Sequence, residues 1–230
     1  VQKILLFSFF LFFSISSFSQ DSTRKKNRLT STITETFYVL KNNEQIKNGL
    51  YQATYMHHTA LASGNYLNNV KTGIWHFYDL NGLLVENFDF IKGKLLYERP
   101  DDLLSAQQIR YAFDDAITDS ALITKPVKPG GRYFGYLPFI TIYKLSDDFV
   151  GTDLSAFTAV LELLISPQGR LADFKVHIKT DDFERVTSFS TELFNDEAKR
   201  FIPATINGTP VISRIFVRCR ITSNGELDVY

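Results

Sequence analysis

The order of apolar and polar positions divides the chain into regions of different period. Ile4 to Phe18 is an almost unbroken apolar run behind a single charge at Lys3, and small residues at Ser17 and Ser19 precede Gln20-Asp21. A run of about 15 apolar residues is shorter than the roughly 20 that span a bilayer as a helix. Residues 1–19 are therefore expected to be a signal peptide cleaved near Ser19-Gln20. Residues 20–34, with Arg24-Lys25-Lys26-Asn27-Arg28, are polar and basic and read as a flexible lead-in. From Glu35 to about Arg99, short aromatic segments are broken by Gly and Asn: Gly49-Leu50-Tyr51, Gly64-Asn65-Tyr66 and Gly73-Ile74-Trp75-His76-Phe77-Tyr78. Turns are expected at Asp79-Leu80-Asn81-Gly82 and Lys92-Gly93. Asn-Gly between apolar runs signals a hairpin, because both central residues of a type I′ turn need positive φ. A meander of antiparallel hairpins is predicted over 35–99.

Residues 100–150 read as a connector. Leu103, Leu104, Ile109, Ala112, Phe113 and Ala116 have passable helical spacing over 103–117. Lys125-Pro126-Val127-Lys128-Pro129-Gly130-Gly131 then breaks any helix, and with no Gly-Lys-Ser/Thr after it the segment reads as a loop and not a phosphate cradle. Residues 151–230 have the clearest pattern. Phe157 to Ser166 is strand-like, Pro167-Gln168-Gly169 turns, and Leu171 to Ile178 alternates with Phe174, Val176 and Ile178 on one face. Asp181 with Glu184 has the spacing of a capping box. Phe183, Val186, Ser190, Leu193, Phe194, Glu197 and Phe201 follow at helical spacing, and Pro203 closes the predicted helix. Asn207-Gly208 turns the chain into an alternating strand from Val211 to Thr222. The expected fold class is α+β: an antiparallel hairpin meander followed by a β-β-α-β unit.

Two stretches resemble known families. Phe37-Tyr38-Val39-Leu40-Lys41, Asn48-Gly49-Leu50-Tyr51, Gly64-Asn65-Tyr66 and Lys71-Thr72-Gly73-Ile74-Trp75-His76-Phe77-Tyr78-Asp79 with Gly82 resemble bacterial MORN-type repeat proteins, often labelled YwqK-family antitoxin components. The resemblance covers 35–99 and implies stacked β-hairpins that bind or space without catalysis. Gly169, Asn195-Asp196-Glu197-Ala198, Pro203-Ala204 and Asn207-Gly208-Thr209-Pro210-Val211 resemble the C-terminal domain of TonB-type energy transducers. That resemblance covers 151–230 and implies sheet-edge contacts to a short segment of an outer-membrane receptor. The chain departs from a working transducer in lacking a long Pro-rich spacer.

Composition narrows the function. Twenty-five basic and 25 acidic residues cancel, so nothing drives the chain toward nucleic acid or an anionic membrane. Aromatic content of 14%, with 21 Phe and 11 Tyr, favours sheet. The single cysteine, Cys219, shares a parity with Ile215, Val217 and Ile221 and is expected in the core. The four histidines, His57, His58, His76 and His177, lack a metal-ligand spacing. The pairs Asp101-Asp102, Asp114-Asp115, Asp147-Asp148 and Asp181-Asp182 fall where solvated or capping carboxylates belong. No Gly-x-Ser-x-Gly elbow occurs.

No catalytic residue, cofactor or metal is therefore assigned, and the expectation is not an enzyme. The expected function is an exported, non-enzymatic interaction protein of the periplasm that binds an envelope protein or peptide. Its candidate surface is Trp75, Tyr78, Phe216, Arg218 and Arg220, the last strand being open to β-augmentation. One alternative is a membrane-anchored accessory of TonB-type outer-membrane transport, which needs the N-terminal segment uncleaved. The other is an envelope hydrolase using one Asp pair.

Overall fold

The computed structural model describes residues 21–146, 149 and 153–229; the expected signal peptide and the Asp147-Asp148 pair lie outside them. Two antiparallel sheets dominate. The first is a meander in chain order: β1 (Ser22–Arg28), β2 (Ile33–Leu40), β3 (Asn43–Tyr55), β4 (Thr59–Leu67), β5 (Val70–Tyr78), β6 (Leu84–Asp89) and β7 (Lys94–Glu98). Its tight turns have the positive φ that type I′ geometry requires, at Asn68-Asn69 (50° and 68°) and at Met56-His57 (50° and 69°). Asn accepts that backbone readily, whereas Met56 and His57 hold it without the help of a Gly.

After the meander come α1 (Leu103–Gln108), β8 (Ile109–Phe113), β9 (Ile123–Thr124) and α2 (Leu137–Ile140). Next are β10 (Thr158–Ile165), β11 (Leu171–Lys179), β12 (Glu184–Phe189), β13 (Ala204–Ile206), β14 (Thr209–Val211), β15 (Ser213–Ile221) and β16 (Leu227–Val229). The second sheet runs β12-β11-β10-β15, and the far edge of β15 is shared by β8 and β16. A small third sheet joins β14, β13 and β9.

One hydrophobic core spans both large sheets. Trp75, Phe77 and Ala53 fill it from the first sheet, and Leu161, Phe174, Val176, Ile215 and Cys219 from the second; all are fully buried. The connector is the wedge between them. Phe134 stacks 5.9 Å from Phe77 on one side, and Phe139 lies 4.8 Å from Phe194 and 5.4 Å from Phe174 on the other. Phe139 is itself fully buried.

The β-rich antiparallel class, the hairpin turns and the inward parity of Phe174, Val176, Ile178 and Cys219 agree with the sequence pattern. Three expectations are corrected. The lead-in is not free: residues 22–28 pair with β2 along their whole length, from Ser22–Leu40 to Arg28–Thr34. Main-chain hydrogen bonds and ion pairs such as Lys25–Glu44 (2.8 Å) hold a strand that has no apolar face to announce it. The expected helix from Asp181 to Phe201 is strand β12 followed by a 3-10 turn at Thr191–Leu193, so the β-β-α-β order does not stand. The Val-Thr-Ser-Phe-Ser-Thr run at 186–191 is rich in residues that lose freedom or make competing hydrogen bonds in a helix. As a strand it turns Arg185, Thr187 and Phe189 toward Ile178, Val176 and Phe174. The helix expected over 103–117 stops at Gln108, and Ile109–Phe113 is drawn into pairing with β15.

Candidate binding cleft

The inner face of β5 carries Lys71 on the parity of Trp75 and Phe77, so a lysine enters the aromatic core. Its ammonium sits 4.3 Å from the Trp75 ring centre and 5.1 Å from that of Phe90, and its Nζ is 2.7 Å from Glu197 Oε1. Burial lowers the Lys71 pKa, and the Glu197 carboxylate opposes that shift. On β3 the Lys47 ammonium lies 4.2 Å over Phe37 and 3.2 Å from the buried Glu35. Tyr51 and Tyr66 meet edge to face at 5.4 Å, each 5.2 Å from Trp75. Burial and the Glu35 carboxylate push the Tyr51 hydroxyl far above its ordinary pKa; Tyr66 is raised by burial and then Glu197.

The connector supplies the opposite wall. The buried Lys128 ammonium donates to the carbonyls of Glu197 (3.0 Å), Ala198 (2.8 Å) and Arg200 (3.1 Å). Three donors matched by three acceptors favour the charged form, whereas burial first and then Lys71 bring its pKa down to about 7. Gly130 and Gly131 donate their N–H groups to Glu86 at 2.8 and 3.2 Å. The Gly-Gly loop thus cradles an anion, and the anion is the chain's own carboxylate. Burial raises the Glu86 pKa to about 7 against those two hydrogen bonds. At Gly130, φ is +131° and an added Cβ would lie 2.5 Å from Gly135 Cα, so no side chain fits.

Between these walls lies a half-open cleft of about 290 Å³. Glu35, Tyr51, Tyr66 and Lys71 line it from the first sheet, Lys128, Phe134 and Thr141 from the connector, and Asn195, Glu197 and Ala198 from the segment after β12. It offers aromatic surface beside charges of both signs that are already bonded within the chain. Such a site can hold polar and apolar groups of a ligand at once.

The sequence-predicted surface is distributed differently. Trp75 is fully buried, its indole N–H given to the Asn65 carbonyl, so it is a core residue and presents no surface. Tyr78 lines a separate hollow beside Asp79 and Arg99. Phe216 and Arg218 come together in a pocket on the outer face of the second sheet. Arg220 stands apart, paired with Asp228. Their strand cannot accept a peptide edge to edge, because β10 takes one side of β15 while β8 and β16 take the other. The outer strands of that sheet are β12 on one side and the short β8 and β16 on the other.

Of the Asp pairs, Asp101 is neutralised by Lys125 (3.2 Å) and Arg132 (2.6 Å), Asp114 bonds Arg214, and Asp181 and Asp182 are exposed. His177 bridges Glu162 (2.8 Å) and Glu184 (2.9 Å). His76 meets Asn87 at 2.6 Å, and His57 and His58 lie exposed at the β3–β4 turn. Among the described residues no group of three or more His, Cys, Asp or Glu is placed to hold a metal ion, and no helix is long and apolar enough to cross a membrane.

Sequence reasoning missed Lys71, Glu86, Lys128 and Glu197. The parity of Lys71 with Trp75 and Phe77 was a usable signal. Lys128, flanked by Val127 and Pro129 in an irregular segment, offers no period to read. Comparison with family profiles, curated proteins and solved structures finds nothing that matches this chain.

Proposed function

We propose that the chain is an exported, non-enzymatic binding protein of the bacterial envelope, taking a polypeptide segment of a periplasmic or outer-membrane protein into the cleft between the first sheet, the connector and the segment after β12. The observation that carries this reading is the composition of the cleft. Sheet, connector and C-terminal segment each contribute to it, and its aromatic wall stands beside compensated charges. An apolar body with a few placed polar groups is the usual make-up of a recognition site. Lys71 and Lys128 are each held by acceptors within the chain, so they fix the shape and charge of the cleft wall while the aromatic groups beside them offer contact surface.

The seven-strand meander supports a MORN-like reading of residues 35–99, and strand β12 in place of a helix weighs against a TonB-like reading of 151–230. Export rests on the apolar run before Ser19. A photo-crosslinking residue at Thr141, on the cleft rim, and another at Asn65, on the outer face of the meander, test the proposal in cells expressing the full chain. A discrete adduct with one envelope protein from Thr141 and none from Asn65 is expected, together with a mature N-terminus at Gln20. Equal adducts from both positions, or none from Thr141, would contradict the cleft as the binding site.

A further inference from the structure

The outer face of the second sheet carries a surplus of positive charge gathered at one place. Register sets it up: Arg110 on β8 faces Phe216 on β15, Arg218 faces Val160 on β10, and Thr158 faces Lys179 on β11. These residues alternate outward, since their neighbours Ile215, Val217, Ala159 and Ile178 are fully buried. With Gln107 and Gln108 from the end of α1, they enclose a pocket of about 280 Å³. The Arg110 guanidinium is steadied 5.9 Å over the Phe216 ring.

The other cations on this face are matched. Lys175 pairs with Asp173, Arg214 with Asp114 and Glu162, and His177 lies between Glu162 and Glu184. Among the described residues, Arg110, Lys179 and Arg218 are in no ion pair. The acidic groups nearest in register are Glu162, beside Phe216 and already bonded to His177 and Arg214, and Glu184, beside Lys179 and bonded to His177. Three like charges crowded into one concavity repel one another unless an anion joins them. Two guanidiniums, an ammonium, two carboxamides and a hydroxyl are donors suited to tetrahedral oxygens.

The geometry points to this pocket as a binding site for a phosphate group, distinct from the cleft lined by the first sheet and the connector. The phosphate is either that of a soluble ligand or that of an anionic lipid headgroup.

The test uses the full mature chain and three probes: inorganic pyrophosphate by calorimetry, citrate as a carboxylate control, and sedimentation with vesicles of phosphatidylglycerol or phosphatidylcholine. Arg110→Gln, Lys179→Gln and Arg218→Gln are compared with Lys175→Gln, a paired cation on the same face, and thermal midpoints verify that each variant folds. Saturable binding of one pyrophosphate per chain, weakened at least tenfold by Arg218→Gln or Lys179→Gln and unchanged by Lys175→Gln, assigns a soluble phosphate ligand. Binding to phosphatidylglycerol vesicles with the same variant pattern, without pyrophosphate binding, assigns the headgroup. The proposal is overturned if neither phosphate probe binds, if citrate alone binds, or if Lys175→Gln weakens binding as much as the pocket variants.

Discussion

At the scale of single residues, the cleft depends on side chains placed where their ordinary chemistry is inconvenient. Gly64 opposes Tyr51 across the β3–β4 pair, and a Cβ there would lie 2.3 Å from the Trp75 ring. Gly64→Ala must displace the indole at the base of the aromatic wall. A loss of about 1–3 kcal/mol, typical of overpacking, is expected from the denaturant midpoint; an unchanged midpoint would show that Trp75 has room to move. Glu86 carries a second prediction. Its pKa rises from 4.5 to about 7 on folding, because burial disfavours the carboxylate. The folded state therefore binds the proton more tightly than the unfolded state. Stability from this group is complete below pH 4.5 and is lost as pH rises through 7. The loss is up to about 3 kcal/mol, and Glu86→Gln should flatten the slope of stability against pH in that window. A variant that keeps the wild-type slope would assign the effect to another group.

At the scale of elements, period-2 alternation was legible in the long strands of the second sheet, whose inner faces are largely apolar. The strand at 171–178 and the inward position of Cys219 follow directly from their patterns. What was not legible depends on partners distant in the chain. Of the apparent helical stripe, Val186 in β12 and Leu193 in the turn after it are half exposed or more, at 50% and 61%, while the inward residues of β12 are Arg185, Thr187 and Phe189. A short edge strand with two polar residues on its inner face is easily read as an amphipathic helix. The first strand is hidden for a different reason: Ser-Thr-Arg-Lys-Lys-Asn-Arg has no apolar period, and its order comes from the β2 edge it covers. Hydrogen exchange checks this directly. The amides of residues 22–28 that bond to β2 are expected to exchange far more slowly than in an isolated peptide, and free-peptide rates would restore the flexible lead-in.

At the scale of the whole molecule, the segment that looked like punctuation joins the two sheets. Phe134 and Phe139 face opposite sheets, Glu86 reaches from β6 to hold the Gly130-Gly131 turn, and Lys128 gathers the chain after β12. None of these contacts has a local sequence signal, so the cleft could not be read from the chain, and the aromatic residues singled out in the meander, Trp75 and Tyr78, do not line it. The cleft exists only if both sheets and the connector fold as one unit. The chain contains one natural probe in each sheet: Trp75, its single tryptophan, and Cys219, its single cysteine, both fully buried. Trp75 fluorescence and pulsed thiol labelling of Cys219 across one denaturant series measure the two sheets separately. A shared midpoint and slope is the predicted result. Two separated midpoints would mean that the sheets fold independently, and would contradict a cleft in which the first sheet meets the connector and the segment packed on the second sheet.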